Sequence, residues 1–124
     1  MRTLSAGSLA AGALLLCACG VKAPSTPGVC WRMAASPSGP PRFTPFATNN
    51  IANLETCAAR LESQWLDDGR DLVGAYAGLF IFLDTAGVDV SNGLDAPRYR
   101  LFRPEDRRKI DQGLAQLKAQ AKKR

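Results

Sequence analysis

The stretch DLVGAYAGLFIFLD, residues 71–84, decides the fold of this chain. Alternate residues of a strand point to opposite faces of a sheet, and here both faces would be apolar or small. The aromatic and β-branched residues near its end favour a strand over a helix. We therefore expect a central strand, either continuous or in two pieces bent at a glycine. The apolar run is too short to cross a bilayer, which takes about 20 residues.

Two shorter strands are predicted before this stretch. Residues 29–34 carry Val29, Cys30 and Trp31 and are typical of a first strand. Residues 35–41 are rich in proline and predict a loop or hairpin connection. Residues 42–47 predict an edge strand or an extended segment, because Pro45 has no N–H to donate to a neighbouring strand.

A helix is predicted over residues 50–68, between these strands and the central stretch. Thr48, Asn49 and Asn50 offer side-chain oxygens for its N-terminus, and Gly69 is a good stop at its C-terminus. Its apolar residues recur every three or four positions, so they form one stripe. The stripe consists of Ile51, Leu54, Ala58, Leu61 and Trp65, and it includes the position of Cys57.

Three elements are predicted after the central stretch. Residues 85–97 contain turn residues and predict a long loop, with a short strand at residues 88–90. Residues 98–103 alternate and predict a half-buried strand with a basic face. Pro104 suits the first position of a second helix, whose apolar stripe is Ile110, Leu114, Leu117 and Ala121. This order predicts an α+β fold, in which two helices pack on one face of a small, mainly antiparallel sheet.

The N-terminus has the pattern of an export signal. Arg2 precedes an uncharged run, residues 4–16, of the length of a signal-peptide core. Leu16, Ala18 and Cys19 then resemble the lipobox of bacterial lipoproteins, with Cys17 an uncommon residue at its position. The resemblance implies cleavage before Cys19 and a diacylglyceryl group on the Cys19 thiol. With Gly20 following Cys19, it also implies an outer-membrane anchor that faces the periplasm.

This reading divides the chain into three parts. Residues 1–18 are a signal peptide, residues 19–28 are the lipidated cysteine with a flexible tether, and residues 29–124 are one small domain with a basic C-terminal helix. Cleavage removes Cys17 and the lipid occupies Cys19, so Cys30 and Cys57 remain in an oxidising compartment. We expect them to form a disulfide. Ordinary signal cleavage without a lipid is the rival interpretation.

Catalytic and metal-binding patterns are not recognisable in this sequence. The chain has no histidine, which excludes Ser-His-Asp and Cys-His catalysis and every imidazole metal site. The acids at residues 67–71 and 84–95 lack the spacing of a calcium loop and coincide with turns. Gly74 and Gly78 do not form a phosphate-binding loop. We therefore predict no catalytic residue, no metal and no cofactor.

Charge is segregated along the chain, whose formal net charge is +5. Acids outnumber bases over residues 49–95, and bases outnumber acids over residues 98–124. A basic, partly aromatic patch is a candidate anion-binding site, although a solvated face is the simpler interpretation. Because the chain is exported, we expect an anionic lipid, a polymer or an acidic protein face as its partner, and not nucleic acid. The patch consists of Arg98, Arg100, Arg103, Arg107, Arg108 and Lys109.

Three stretches of the domain are similar to small exported proteobacterial proteins to which no activity is attached: residues 29–32, 53–57 and 99–104. The leading hypothesis from the sequence is a membrane-anchored binding or scaffolding module of the cell envelope that is not an enzyme. One alternative is a small enzyme that acts on a glycan through carboxylates. Another is a structural lipoprotein that associates with itself.

Overall fold

A computed structural model of the chain describes residues 20–48 and 50–123. This part forms a six-stranded sheet in the order β2-β1-β3-β4-β5-β6, in which every neighbouring pair is antiparallel. Both helices pack on one face of the sheet, so the predicted α+β fold is confirmed. The elements are β1 Cys30–Ala34, β2 Arg42–Ala47, α1 Leu54–Asp68, β3 Leu72–Tyr76, β4 Leu79–Asp84, β5 Gly87–Ser91, β6 Tyr99–Arg100 and α2 Pro104–Lys122.

The apolar stretch of residues 71–84 is a hairpin, and a continuous strand was the wrong alternative. Strands β3 and β4 pair from Leu72 with Leu83 to Tyr76 with Leu79. Ala77 and Gly78 between them have φ angles of 51° and 84°. Two successive left-handed residues make the tight turn that suits a two-residue hairpin. The chain therefore reverses at the glycine, where the two-piece interpretation expected only a bend.

Helix α1 covers the centre of the sheet but begins later than predicted. Its N-cap is Asn53, whose side chain accepts a hydrogen bond from the Thr56 amide at 2.8 Å. Asn50 has a left-handed φ of 52°, and the Ile51 amide donates to the Gly28 carbonyl at 2.9 Å. The chain before Asn53 is thus tied to the segment preceding β1 and is not helical.

The chain after β4 is more regular than predicted in one place and less regular in another. Strand β5, Gly87–Ser91, extends the short strand expected at residues 88–90 and pairs along β4. In contrast, the strand predicted over residues 98–103 is limited to Tyr99–Arg100, and both residues are exposed. Leu101 and Phe102 then leave the strand and pack together against the core, which interrupts the expected alternation.

Residues 20–28, predicted as a flexible tether, are held against the domain at two points. The Gly78 amide donates to the Pro24 carbonyl at 2.9 Å, and the Ile51 amide donates to the Gly28 carbonyl. Val21 and Pro24 are half-buried. The segment is therefore docked beside the Ala77–Gly78 turn, at what we call the turn end of the sheet.

Helix α2 packs against α1 through its first half and is largely exposed along its second half. It begins at Pro104 as predicted, with Glu105 and Asp106 in its first turn. None of its residues is fully buried, and Leu117 in its predicted apolar stripe is 63% exposed. The second half of this helix therefore leaves apolar surface open to solvent.

Candidate functional site

The disulfide predicted between Cys30 and Cys57 is confirmed. The two Cα atoms lie 5.3 Å apart, within the usual range for a disulfide. Both side chains are fully buried, Cys30 on β1 and Cys57 on α1. The bond therefore fixes the first strand to the first helix at the centre of the core. Cys19, the predicted lipidation site, lies outside the described residues, and its lipidation stays a prediction.

A buried ion pair joins the two helices. Glu62 on α1 is fully buried, and its two carboxylate oxygens accept hydrogen bonds of 2.7 and 2.9 Å from Nε and Nη2 of Arg107 on α2. Arg107 Nη1 donates to the Asp84 carbonyl at 2.6 Å, and its guanidinium lies 4.2 Å from the ring centre of Trp65. Arg107 thus links α2, α1 and the β4–β5 turn through one side chain.

Asp111, one helical turn after Arg107, places a second carboxyl group beside Glu62. Its pKa is raised from 3.8 to about 7, mainly by burial and then by a hydrogen bond to Glu62 and the charge of Glu62, while the charge of Arg107 lowers it. Two ionised carboxylates only accept hydrogen bonds, so one must hold a proton to bond to the other. In the described part of the chain, the buried Asp111 Oδ1 has no hydrogen-bond donor among the groups that are protonated at neutral pH.

The sequence pattern did not single out Glu62 or Asp111. A signal was nevertheless present, because Glu62 follows Ala58 by four positions and so lies beside the apolar stripe of α1. Asp111 likewise follows Arg107 by four positions. A charged residue buried beside an apolar stripe is costly unless an opposite charge pairs with it, and here Arg107 supplies that charge.

The structure divides the predicted anion-binding patch. Arg107 is neutralised by Glu62 in the interior. Arg100 bonds to Asp89 at 2.6 Å and to the Ala86 carbonyl at 2.7 Å. Arg98 lies on the sheet face away from the helices, with its guanidinium 3.7 Å from the ring centre of Phe82. These three cations therefore serve contacts within the domain.

The other members of the patch lie together around the start of α2. Arg103 is 78% exposed and lies 3.4 Å from Asp106, a contact worth little in water. Arg108 and Lys109 are exposed on the first turns of the helix. We call Arg103, Arg108 and Lys109 the basic end of the domain, and anion binding there stays a prediction.

An open apolar groove runs between the two helices. Its volume is about 520 Å³, within the range of about 300–1,000 Å³ common for ligand sites. Leu117, on the exposed half of α2, forms one wall, and Phe46 at the end of β2 forms part of the other. Arg60 is its charged lining residue. The lining consists of Phe46, Ala47, Thr56, Ala59, Arg60, Ser63, Leu114 and Leu117.

The acidic clusters serve turns and surface pairs. Asp84 Oδ1 accepts hydrogen bonds from the amides of Ala86 and Gly87 in the β4–β5 turn. Asp68 accepts from Gln64, and Asp67 pairs with Lys118. Within residues 20–48 and 50–123, no group of three or more acidic or cysteine side chains is arranged to hold a metal ion.

Comparisons with protein-family models, with curated proteins and with solved structures found no match to this chain. Among the described residues, no helix has both the length and the apolar character that a membrane crossing requires.

Proposed function

We propose that this protein is a lipid-anchored module of the bacterial cell envelope that binds a partner protein in the groove between α1 and α2. The observation that carries the proposal is the apolar surface of α2. Leu117 is 63% exposed, and together with Leu114 on the same helix it lines an open groove whose other wall includes Phe46. An exposed leucine at the wall of an apolar groove offers a partner a concave surface on which to bury its own side chains.

The lining of the groove favours an amphipathic helix with acidic flanking residues as its occupant. Two walls made by crossing helices leave a channel that suits the apolar face of a third helix. Arg60 lines the channel, and Lys122 and Lys123 are exposed at the end of α2. These cations complement acidic side chains at the rim of the partner, which favours association and its specificity.

Export and anchoring through Cys19 are supported by the lipobox resemblance and by the disulfide. Structural disulfides form and persist in oxidising compartments such as the periplasm. The glycan-cleaving alternative has less support, because Glu62 is fully buried and bound to Arg107. Neither Glu62 nor Asp111 lines the groove, where a substrate would meet a catalytic carboxylate.

Photocrosslinking in intact cells tests this function. A benzophenone side chain replaces Leu117 in the groove or, as the matched control, Gln112 on another exposed side of α2. We expect an adduct with one envelope protein from position 117 but not from position 112. Leu117→Glu should abolish copurification of that protein, whereas Gln112→Glu should leave it unchanged.

Other outcomes contradict the proposal in distinct ways. An adduct only with a second copy of the chain would replace it by self-association. An adduct with lipid alone, or equal adducts from both positions, would show that the groove does not hold a partner helix.

A further inference from the structure

The segment that leads to the predicted lipid anchor approaches the domain at one defined place. Pro24 accepts a hydrogen bond from the Gly78 amide in the β3–β4 turn, and Gly28 accepts one from the Ile51 amide ahead of α1. Five residues separate Pro24 from the position of Cys19 in the sequence, and a fully extended chain of that length spans at most about 17 Å. The docked segment thus ties the anchor to the turn end of the sheet.

The surface at the turn end suits contact with lipid head groups. Ser25, Thr26 and Ala77 are exposed and uncharged there, as is Asn92, which follows the residue that pairs with Phe80 near the turn. Lys22 is the charged residue of the docked segment and is exposed. Asp95, three residues after Asn92 in the same loop, is exposed as well. The turn end therefore carries one cation and one carboxylate among uncharged polar residues, which limits its repulsion from an anionic bilayer.

The basic end lies a full strand length away from this surface. Arg107, in the second turn of α2, donates to the Asp84 carbonyl, and Asp84 ends β4, the strand that begins just after Gly78. Arg108 and Lys109 follow directly and are exposed. A domain that rests on its turn end would therefore hold these cations away from the head groups.

We propose that the domain rests on the bilayer through the turn end of its sheet and presents its basic end away from the membrane. This inference rests on the proposed anchoring through Cys19 and adds the orientation. It also excludes lipid head groups of the same membrane as the partner of Arg103, Arg108 and Lys109. A flexible tether would allow the domain every orientation relative to the membrane, whereas the docked segment favours one.

The two tryptophans lie near opposite ends of the sheet, so their distances from the membrane report the orientation of the domain. Trp31 pairs with Ala75 near the turn end, whereas Trp65 lies under Arg107 near the basic end. The variants Trp65→Phe and Trp31→Phe each retain a single fluorescent tryptophan.

The chain from Cys19 onward is coupled through the Cys19 thiol to a maleimide lipid in phosphatidylcholine vesicles that contain a trace of dansyl lipid. Cys30 and Cys57 are paired and do not compete.

We expect clearly greater energy transfer to the dansyl head groups from Trp31 than from Trp65. A flexible Gly-Ser linker inserted between Cys19 and Gly20 is the matched control, and it should lower both transfers and abolish the difference. Equal transfer without the linker, or greater transfer from Trp65, would overturn the orientation. Because the coupling is chemical, neither result depends on lipidation in the cell, which the intact mass of the exported protein measures separately.

Discussion

The carboxyl group of Asp111 lies between the two helices and has a raised pKa. It lies beside the buried Glu62, whose charge Arg107 already neutralises through two hydrogen bonds. A second negative charge there has no further cation at bonding distance among the described ion pairs. Burial and Glu62 raise the pKa of Asp111 to about 7 from 3.8, so the proton is held in the folded state and lost in the unfolded one at intermediate pH.

This difference predicts how stability depends on pH. Between pH 3.8 and about 7, the folded protein binds a proton that the unfolded chain does not, so the free energy of unfolding falls as the pH rises through this window. Asp111→Asn keeps a neutral side chain of the same shape and should remove that part of the dependence. Urea denaturation at pH 5 and pH 8 measures it. Asp95→Asn, in an exposed loop, is the control and should retain the wild-type slope; an unchanged slope in Asp111→Asn would contradict the prediction.

The elements themselves show what the sequence could and could not predict. The start of α2, the edge position of β2 and the connection after β1 were predictable, because Pro104, Pro45 and the proline-rich residues 35–41 act locally. The hairpin at Ala77–Gly78 was not, since an apolar run carries the same pattern on a continuous strand and on two strands that reverse. The Glu62–Arg107–Asp111 cluster depends on how α2 crosses α1, which no local pattern encodes.

Two glycines in these elements should respond oppositely to the same substitution. A Cβ at Gly113 in α2 meets nothing within 4 Å, whereas a Cβ at Gly74 in β3 would lie 2.7 Å from the Trp31 carbonyl oxygen and press on Leu61. Gly113→Ala should raise the free energy of unfolding by about 0.5–1 kcal/mol through helix propensity. Gly74→Ala should lower it by about 1–3 kcal/mol through overpacking. Chemical denaturation compares the two, and a stabilised Gly74→Ala would mean that α1 does not pack on β3 at this position.

As a whole, the molecule is a sheet with both helices on one face, and two buried contacts hold these helices in place. The Cys30–Cys57 disulfide secures α1 to β1 in the core, and Arg107 secures α2 to α1 and to the β4–β5 turn. The second half of α2 is held to α1 by the surface pair of Lys118 with Asp67, but it leaves Leu117 exposed beside the groove. The proposed binding surface thus exists because this half of α2 is only partly covered.

Loss of the disulfide should therefore affect the entire domain and not α1 alone. The bond spans 27 positions of the chain, and closing a loop of that size stabilises a fold by about 3.5 kcal/mol on the chain-entropy model. Small domains have only about 5–15 kcal/mol in total. We expect the double variant Cys30→Ala, Cys57→Ala to unfold at markedly lower urea concentration, with circular dichroism of the helices and fluorescence of Trp65 changing together. Addition of a reductant should shift the wild type in the same way and leave the double variant unmoved. A wild-type midpoint that reductant does not change would show that the disulfide contributes nothing to the stability of the folded domain.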